Sequence, residues 1–370
     1  MNASSAVGMP PREHARLAGY RGLIGFAVVL TSMLALVFPT GKEYADLTSV
    51  TTPDRYSIAY LDVLTRANPE EIELRLVYVK QLGVLGRFAK AITLLEPALV
   101  DPRYEVTAKN MRFDLRLAQA RSIPEDDPLR RETFALALRD LEALLPLSHD
   151  APRVRELAKV ALELERPGLA SEFLLRLANQ SDEKERPAIL AEAAHWLRAS
   201  GDGRRAAVNY DKASALAPDP MVGRAYGLAS IAALEAEDAV PEAADRAAEY
   251  AAKYPGDAEL LMRATALATA CSRQLVARDL GRRVLALSPE DQISDAFLRE
   301  QSKRELGLSD PHSALKLLKR LVARHPNDID LREAEAYVAE WAGEPRLALR
   351  DWLYVMKHGR GQTWRGGIRL

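Results

Sequence analysis

The stretch AILAEAAHWLRASGDGRRAAVNYDKASALAPDP, residues 188–220, reads as two helices joined by a tight turn. Apolar residues recur at helical spacing on both sides of Gly201, and the small Ala194, Ala206 and Ala213 sit where the two helices must approach closely. Gly201 suits the reversal, because a residue without Cβ enters left-handed backbone freely. Pro218 closes the segment, since proline cannot continue a helix interior. Outward from this stretch the same pattern returns. Ala91, Ala170, Ala206, Ala243, Ala277, Ala314 and Ala348 hold seven of eight equivalent places, and the last five intervals are 36, 37, 34, 37 and 34 residues. Pro218, Pro255, Pro289 and Pro326 each follow one of these alanines by twelve residues. A period of about 34 residues means stacked two-helix units that bury one continuous core.

Composition agrees. The 370 residues are 48% hydrophobic but include only 7 Phe, 12 Tyr and 4 Trp, so alanine and leucine must do most of the packing. Runs of β-branched residues alternating with period two are scarce, which makes the fold class all-α. Lys and Arg number 51 against 52 Asp and Glu, a net charge of -1 that excludes the global basic field of nucleic-acid binders. The single Cys271 cannot form an internal disulfide, and within ALATACSRQL it reads as a small buried thiol.

The chain divides into a cytoplasmic N-terminus over 1–21, a transmembrane anchor over 22–38, a connector over 39–55, an α-solenoid over 56–358 and a basic tail over 359–370. Residues 22–38, GLIGFAVVLTSMLALVF, carry no charge and approach the roughly 17 to 25 residues that span a bilayer. Arg12, Arg16 and Arg21 precede them, whereas Lys42 and Arg55 beyond are offset by Glu43, Asp46 and Asp54, so the N-terminus is expected to stay in the cytoplasm. In a bacterium the repeats would then be periplasmic, below a single-pass inner-membrane anchor. A cleaved signal peptide is the rival reading.

After the connector, whose Thr51-Thr52-Pro53-Asp54 is an N-cap signal, SIAYLDVLTRANP (57–69) reads as a lone amphipathic helix sealing the stack. The unit ELRLVYVKQLGVLGRFAKAITLLEPALVDP (73–102) turns at Gly86-Arg87-Phe88. Residues 103–150 fit the period poorly. They read as helices near 104–121 and 129–145 around a long acidic loop, SIPEDDP, at 122–128. Regular units follow over 151–182, 184–219, 221–256, 258–290, 292–327 and 328–358.

The search for chemistry yields little. Gly201-Asp202-Gly203-Arg204-Arg205-Ala206 matches the dinucleotide fingerprint GxGxxA, but that fingerprint follows a strand, and here a helix is expected before it. His14, His149, His195, His312, His325 and His358 are scattered, with no metal-ligand spacing. Glu125-Asp126-Asp127 reads as a solvated loop and not as a cation site. No nucleophile elbow or P-loop is present. The expectation is a non-catalytic chain with no cofactor and no metal. What a stack of hairpins can do is bind along the groove lined by the first helix of each unit. Projecting the period onto that groove selects Arg155, Lys159, His195, Arg198, Arg299, Lys303, Tyr337, Glu340 and Trp341, a mildly basic surface with an aromatic end. Trp341 has a second reading, as a packing partner of Trp352.

The alanine and proline columns over 56–358 resemble tetratricopeptide (TPR) repeats, which implies a right-handed α-solenoid of about eight helical hairpins that binds protein partners. No unit reproduces the Lys and Asn set with which chaperone-binding TPR proteins hold a peptide carboxylate. A narrower resemblance concerns Val37-Phe38-Pro39, Ser57-Ile58-Ala59-Tyr60-Leu61, Glu73-Leu74-Arg75-Leu76 with Gly86, and Ala339-Glu340-Trp341-Ala342-Gly343-Glu344-Pro345 with Ala348. These look like PelB-type proteins of Pel exopolysaccharide export. The resemblance implies a membrane-anchored periplasmic scaffold whose partners are cell-envelope proteins: a polysaccharide synthase complex, a glycan-modifying enzyme or an outer-membrane barrel. After Lys357 only HGRGQTWRGGIRL remains, without the alternating strands of that family's own barrel. The alternative is an assembly or regulatory adaptor of another envelope machine, such as cytochrome maturation or division.

Overall fold

A computed structural model describes residues 20–37 and 55–359. Every regular element among them is helical: α1 Tyr20–Val37, α2 Arg55–Ala67, α3 Ile72–Val84, α4 Phe88–Val100, α5 Glu105–Ser122, α6 Pro128–Leu144, α7 Ala151–Glu163, α8 Pro167–Gln180, α9 Arg186–Ala199, α10 Gly203–Leu216, α11 Pro220–Ala236, α12 Val240–Lys253, α13 Ala258–Ala270, α14 Gln274–Leu287, α15 Asp295–Gly307, α16 Pro311–Arg324, α17 Ile329–Trp341 and α18 Pro345–His358, with one 3₁₀ turn at Glu290–Gln292. The chain forms two compact units, one up to Leu147 and one from Ser148. In the first, α2 packs on hairpin α3/α4, which packs on hairpin α5/α6. In the second, six hairpins from α7/α8 to α17/α18 follow one another, each helix against the next.

Local chemistry sets these boundaries. Asp127, Asp219, Asp257, Asp310 and Asp328 each accept a backbone N–H from the first turn of the helix that follows, satisfying an otherwise orphaned donor. Seven hairpins reverse through a three-residue turn whose middle residue is left-handed: Gly86, Glu165, Gly201, Asp238, Ser272, Ser309 and Gly343, with φ between 56° and 87°. The residue after it donates back across the turn, as in Arg87 N–H to Leu82 O at 2.9 Å and Asp202 N–H to Leu197 O at 3.0 Å. The expected turn glycines are thus found at 86 and 201, and four equivalent turns dispense with glycine.

The alanine column is buried throughout: Ala91, Ala170, Ala206, Ala243, Ala277 and Ala314 have no exposed surface and Ala348 nearly none. The eighth place belongs to Thr133 on α6. Thr133, Ala137, Asp140 and Leu141 repeat the burial order of Ala170, Leu174, Leu177 and Ala178, and the Thr133 hydroxyl is satisfied by Leu129 O at 2.8 Å. Residues 103–150 depart from the period for a reason other than a long loop. The connection is only 123–127, and α5 and α6 are 18 and 17 residues long where α7 and α8 have 13 and 14.

Among the described residues no helix is long and apolar enough to cross a membrane. The helix over the expected span 22–38 is α1, with 18 described residues, and Phe38 lies outside them. Cys271 is not inside a helix: it is the half-buried C-cap of α13. The N-terminus to residue 19, Phe38, the connector 39–54 and the tail 360–370 lie outside the described residues.

Candidate functional site

All nine candidate groove residues lie on first helices: Arg155 and Lys159 on α7, His195 and Arg198 on α9, Arg299 and Lys303 on α15, and Tyr337, Glu340 and Trp341 on α17. Apart from Trp341 they occupy places ten, six and three residues before the left-handed turn residue, one face of a helix. The first helices α9 and α11 touch directly, so their faces adjoin. The same places on α11 and α13 hold Leu228, Ala232 and Glu235, then Met262, Ala266 and Thr269. Four of these six places, Leu228, Ala232, Met262 and Ala266, are apolar, with Met262 exposed, and Glu235 pairs with Arg263.

Arg155, Lys159, His195 and Arg198 are exposed. The His195 ring stands edge-on to Trp196, with centroids 4.9 Å apart. Further along, the expected positive charge is internally compensated: Arg299 pairs with Asp328 at 3.6 Å and Lys303 with Glu300 at 3.2 Å. The aromatic end is a built cleft of about 520 Å³, lined by Tyr337 and Glu340 of α17 and Trp352, Val355 and Met356 of α18. Tyr337 and Trp352 meet nearly perpendicular, at 83° with centroids 4.8 Å apart, and the Trp352 indole N–H donates to Glu340 Oε1 at 2.8 Å. Trp341 is 59% exposed, and the ring that Trp352 packs on is Tyr337. Val355 and Met356 escaped the sequence reading because it projected only first helices, whereas here the second helix supplies half the wall.

Carboxylate–arginine pairs clamp hairpins together. Arg224 on α11 reaches Asp257 and Glu259, and its guanidinium holds the Asp257 carboxyl below the usual range. Arg282 on α14 bridges the buried Glu305 at 2.6 Å and Asp310 at 2.8 Å. In the first unit, Asp62 accepts from Lys90 at 2.8 Å and from the Tyr78 hydroxyl at 2.7 Å; these donors, Lys90 first, depress its pKa. A second cleft of about 460 Å³ lies among α8, α9 and α10, where Arg186 and Arg205 are already engaged by the carbonyls of Ala178 and Ser181 and by Glu172.

The sequence features set aside earlier have structural places. Helix α9 precedes Gly201, Asp202 caps α10 by accepting from Arg205 N–H, and Gly203 lies against α11 at Ala233 and Glu237. Asp127 caps α6 and Glu125 pairs with Arg130 at 3.4 Å. Among the described residues no three His, Cys, Asp or Glu side chains assemble as metal ligands.

No protein-family model and no curated protein matches this chain. Among solved structures it is similar to the MamA protein crystal structure, with 14% identity over 47% of this chain and 92% of that one and a TM-score of 0.34. It is also similar to MamA 41-end from Desulfovibrio magneticus RS-1, at 17% identity over 57% and 95% of the two chains, with a TM-score of 0.24. A third likeness is to the APC/C hetero-tetramer Cut9-Hcn1, at 16% identity over 83% and 57%, with a TM-score of 0.26. Likenesses this low say nothing of function, and the repeat architecture rests on the hairpins described above.

Proposed function

We propose that this chain is a non-catalytic, TPR-type scaffold that binds protein partners along the first-helix face of residues 151–358. The observation that carries the reading is that face itself. Places at a fixed distance from successive turns present exposed Arg155, Lys159, His195, Arg198 and Met262, while the opposite sides of the same helices are committed to the core. The test is partner capture by the full chain against a variant carrying Arg155→Glu, Lys159→Glu and Arg198→Glu. Partners should be lost while thermal unfolding stays unchanged; a variant that folds and captures the same partners would count against this face.

We further propose that the chain works at a bacterial inner membrane, N-terminus inside, through α1. In support, α1 exposes Leu23, Ile24, Phe26, Val28, Val29, Leu30 and Met33, and Arg12, Arg16 and Arg21 lie on its N-terminal side in sequence. Resistance of the chain to carbonate extraction, lost on deleting 22–37, is the expected result; a chain that stays soluble with α1 intact removes the anchor. The narrower reading, Pel-like exopolysaccharide export with periplasmic hairpins, is supported by the sequence resemblance alone. Loss of extracellular polysaccharide on deletion would favour it, and co-purification of only haem-handling or division proteins would favour the adaptor.

A further inference from the structure

Twice among the described residues a carboxylate gathers an aromatic donor and a cation. Asp62 accepts from the Tyr78 hydroxyl at 2.7 Å and pairs with Lys90 at 2.8 Å, and the Lys90 ammonium lies 5.1 Å from the Tyr78 ring centroid. Asp211 accepts from the Tyr250 hydroxyl at 2.9 Å and pairs with Arg246 at 3.1 Å. The terminal hairpin repeats the first two parts. Glu340 accepts from the Trp352 N–H at 2.8 Å, beside the perpendicular Tyr337 ring. Glu340 is exposed, and no basic side chain among the described residues pairs with it.

We propose that the cleft of Tyr337, Glu340, Trp352, Val355 and Met356 receives a guanidinium or ammonium side chain from a basic segment of a partner protein. The proposal rests on the scaffold reading and names the chemistry of one partner contact. Two ring systems at a right angle present a negative π-face to a cation, the most favourable case being tryptophan. Glu340 supplies the countercharge at the rim, and its bond to the indole holds both groups in place before binding. The Val355 and Met356 side chains offer apolar contact for the methylene stem of an arginine or lysine, whose charged head can then sit at the rim. The open volume of about 520 Å³ is ample for one such side chain with its flanking backbone. A free acid would be repelled by Glu340, and a purely apolar side chain would leave that carboxylate without a countercharge.

The test is isothermal titration calorimetry of the full chain, in mild detergent, with a blocked glycyl-arginyl-glycine peptide. The matched citrulline peptide, isosteric and uncharged, serves as control. The arginine peptide should bind at least about tenfold tighter than the citrulline peptide, and Glu340→Gln should weaken it at least about fivefold. Glu340 is on the surface, so this variant keeps the fold; Tyr337→Leu, checked by thermal unfolding, should weaken binding independently. Equal affinity for the two peptides, or an unchanged Glu340→Gln, overturns the proposal. Binding seen only after removal of residues 360–370, RGQTWRGGIRL, also overturns it, because the chain's own arginines would then be the occupant. A full chain that still captures partners but binds both peptides equally loses the cation site and keeps the scaffold; one that prefers arginine but captures no partner keeps the site and loses the scaffold.

Discussion

Glu335 of α17 and Asp351 of α18 lie buried side by side and share one guanidinium: Arg350 reaches Glu335 Oε2 at 3.4 Å and Asp351 Oδ1 at 3.0 Å. Arg332, which also holds Asp351 at 2.8 Å, stands 3.9 Å from Glu335. Asp351 thus takes the close contacts of both cations. Burial first, and then Asp351 beside it, push the Glu335 carboxyl up to about 7.

The sign of the consequence follows from linkage. A carboxyl whose folded pKa exceeds its unfolded value stabilises the fold fully below the unfolded pKa, and that contribution is lost as pH rises through about 7. Stability of the terminal hairpin should fall between about pH 5 and pH 8 by about 1 to 3 kcal/mol, and Glu335→Gln should abolish most of that slope. Urea unfolding of both proteins at the two pH values decides the matter; parallel pH dependence in the two would rule Glu335 out.

Non-glycine residues at four turns hold a left-handed conformation that costs roughly 1 to 2 kcal/mol each. Ser272→Gly and Ser309→Gly, at φ of 59° and 62°, should each raise stability by about 0.5 to 1 kcal/mol once the extra backbone entropy of glycine is counted. The mirror experiment is Gly201→Ala at φ 87°, where no neighbour crowds an added Cβ and backbone strain acts alone. It should lower stability by about 1 kcal/mol. Thermal midpoints moving in the same direction for all three would contradict the turn geometry.

Gly203 opens α10 against α11. A Cβ there would collide with the Ala233 carbonyl oxygen and come within 2.9 Å of Glu237 Oε2. The same contact lets Arg204 N–H donate to Glu237 at 2.6 Å. Gly203→Ala should therefore cost about 1 to 3 kcal/mol despite alanine's higher helix propensity. A neutral or stabilising result in thermal unfolding would mean the two helices stand farther apart.

Ala206 and Ala277 have no exposed surface at the contact between paired helices. Leucine at either place should overpack the hairpin by about 1 to 3 kcal/mol and loosen the neighbouring units, since each repeat is supported by the ones it touches. Amide exchange across α9–α12 for Ala206→Leu would show the spread; protection equal to the parent's would disprove the repeat phase.

The repeat was legible because its signals are local. An alanine that admits a neighbouring helix, an aspartate that caps, and a proline or glycine that ends a helix each act within a few residues of themselves, so a period in the sequence maps onto hairpins at 73–102 and from 151 onward. For the same reason the first-helix positions of Arg155, His195 and Tyr337 could be read from phase alone. Thr133 was missed because its place is defined by burial, and the longer α5 and α6 shift it away from the period.

Which charges find partners follows from packing and not from the repeat period. That Arg299 is neutralised by Asp328, that Trp352 closes on Tyr337 and leaves Trp341 exposed, and that Glu335 sits beside Asp351 all depend on how helices carrying residues 15 to 29 apart in the chain are rotated against each other. A repeat period specifies that two helices touch but not the angle at which their side chains meet. Ion pairs and ring contacts are settled over a few ångströms, at that angle. Local residue patterns therefore specify the hairpins and which residues fall on first helices, and packing specifies the cleft of Tyr337, Glu340 and Trp352 at their end.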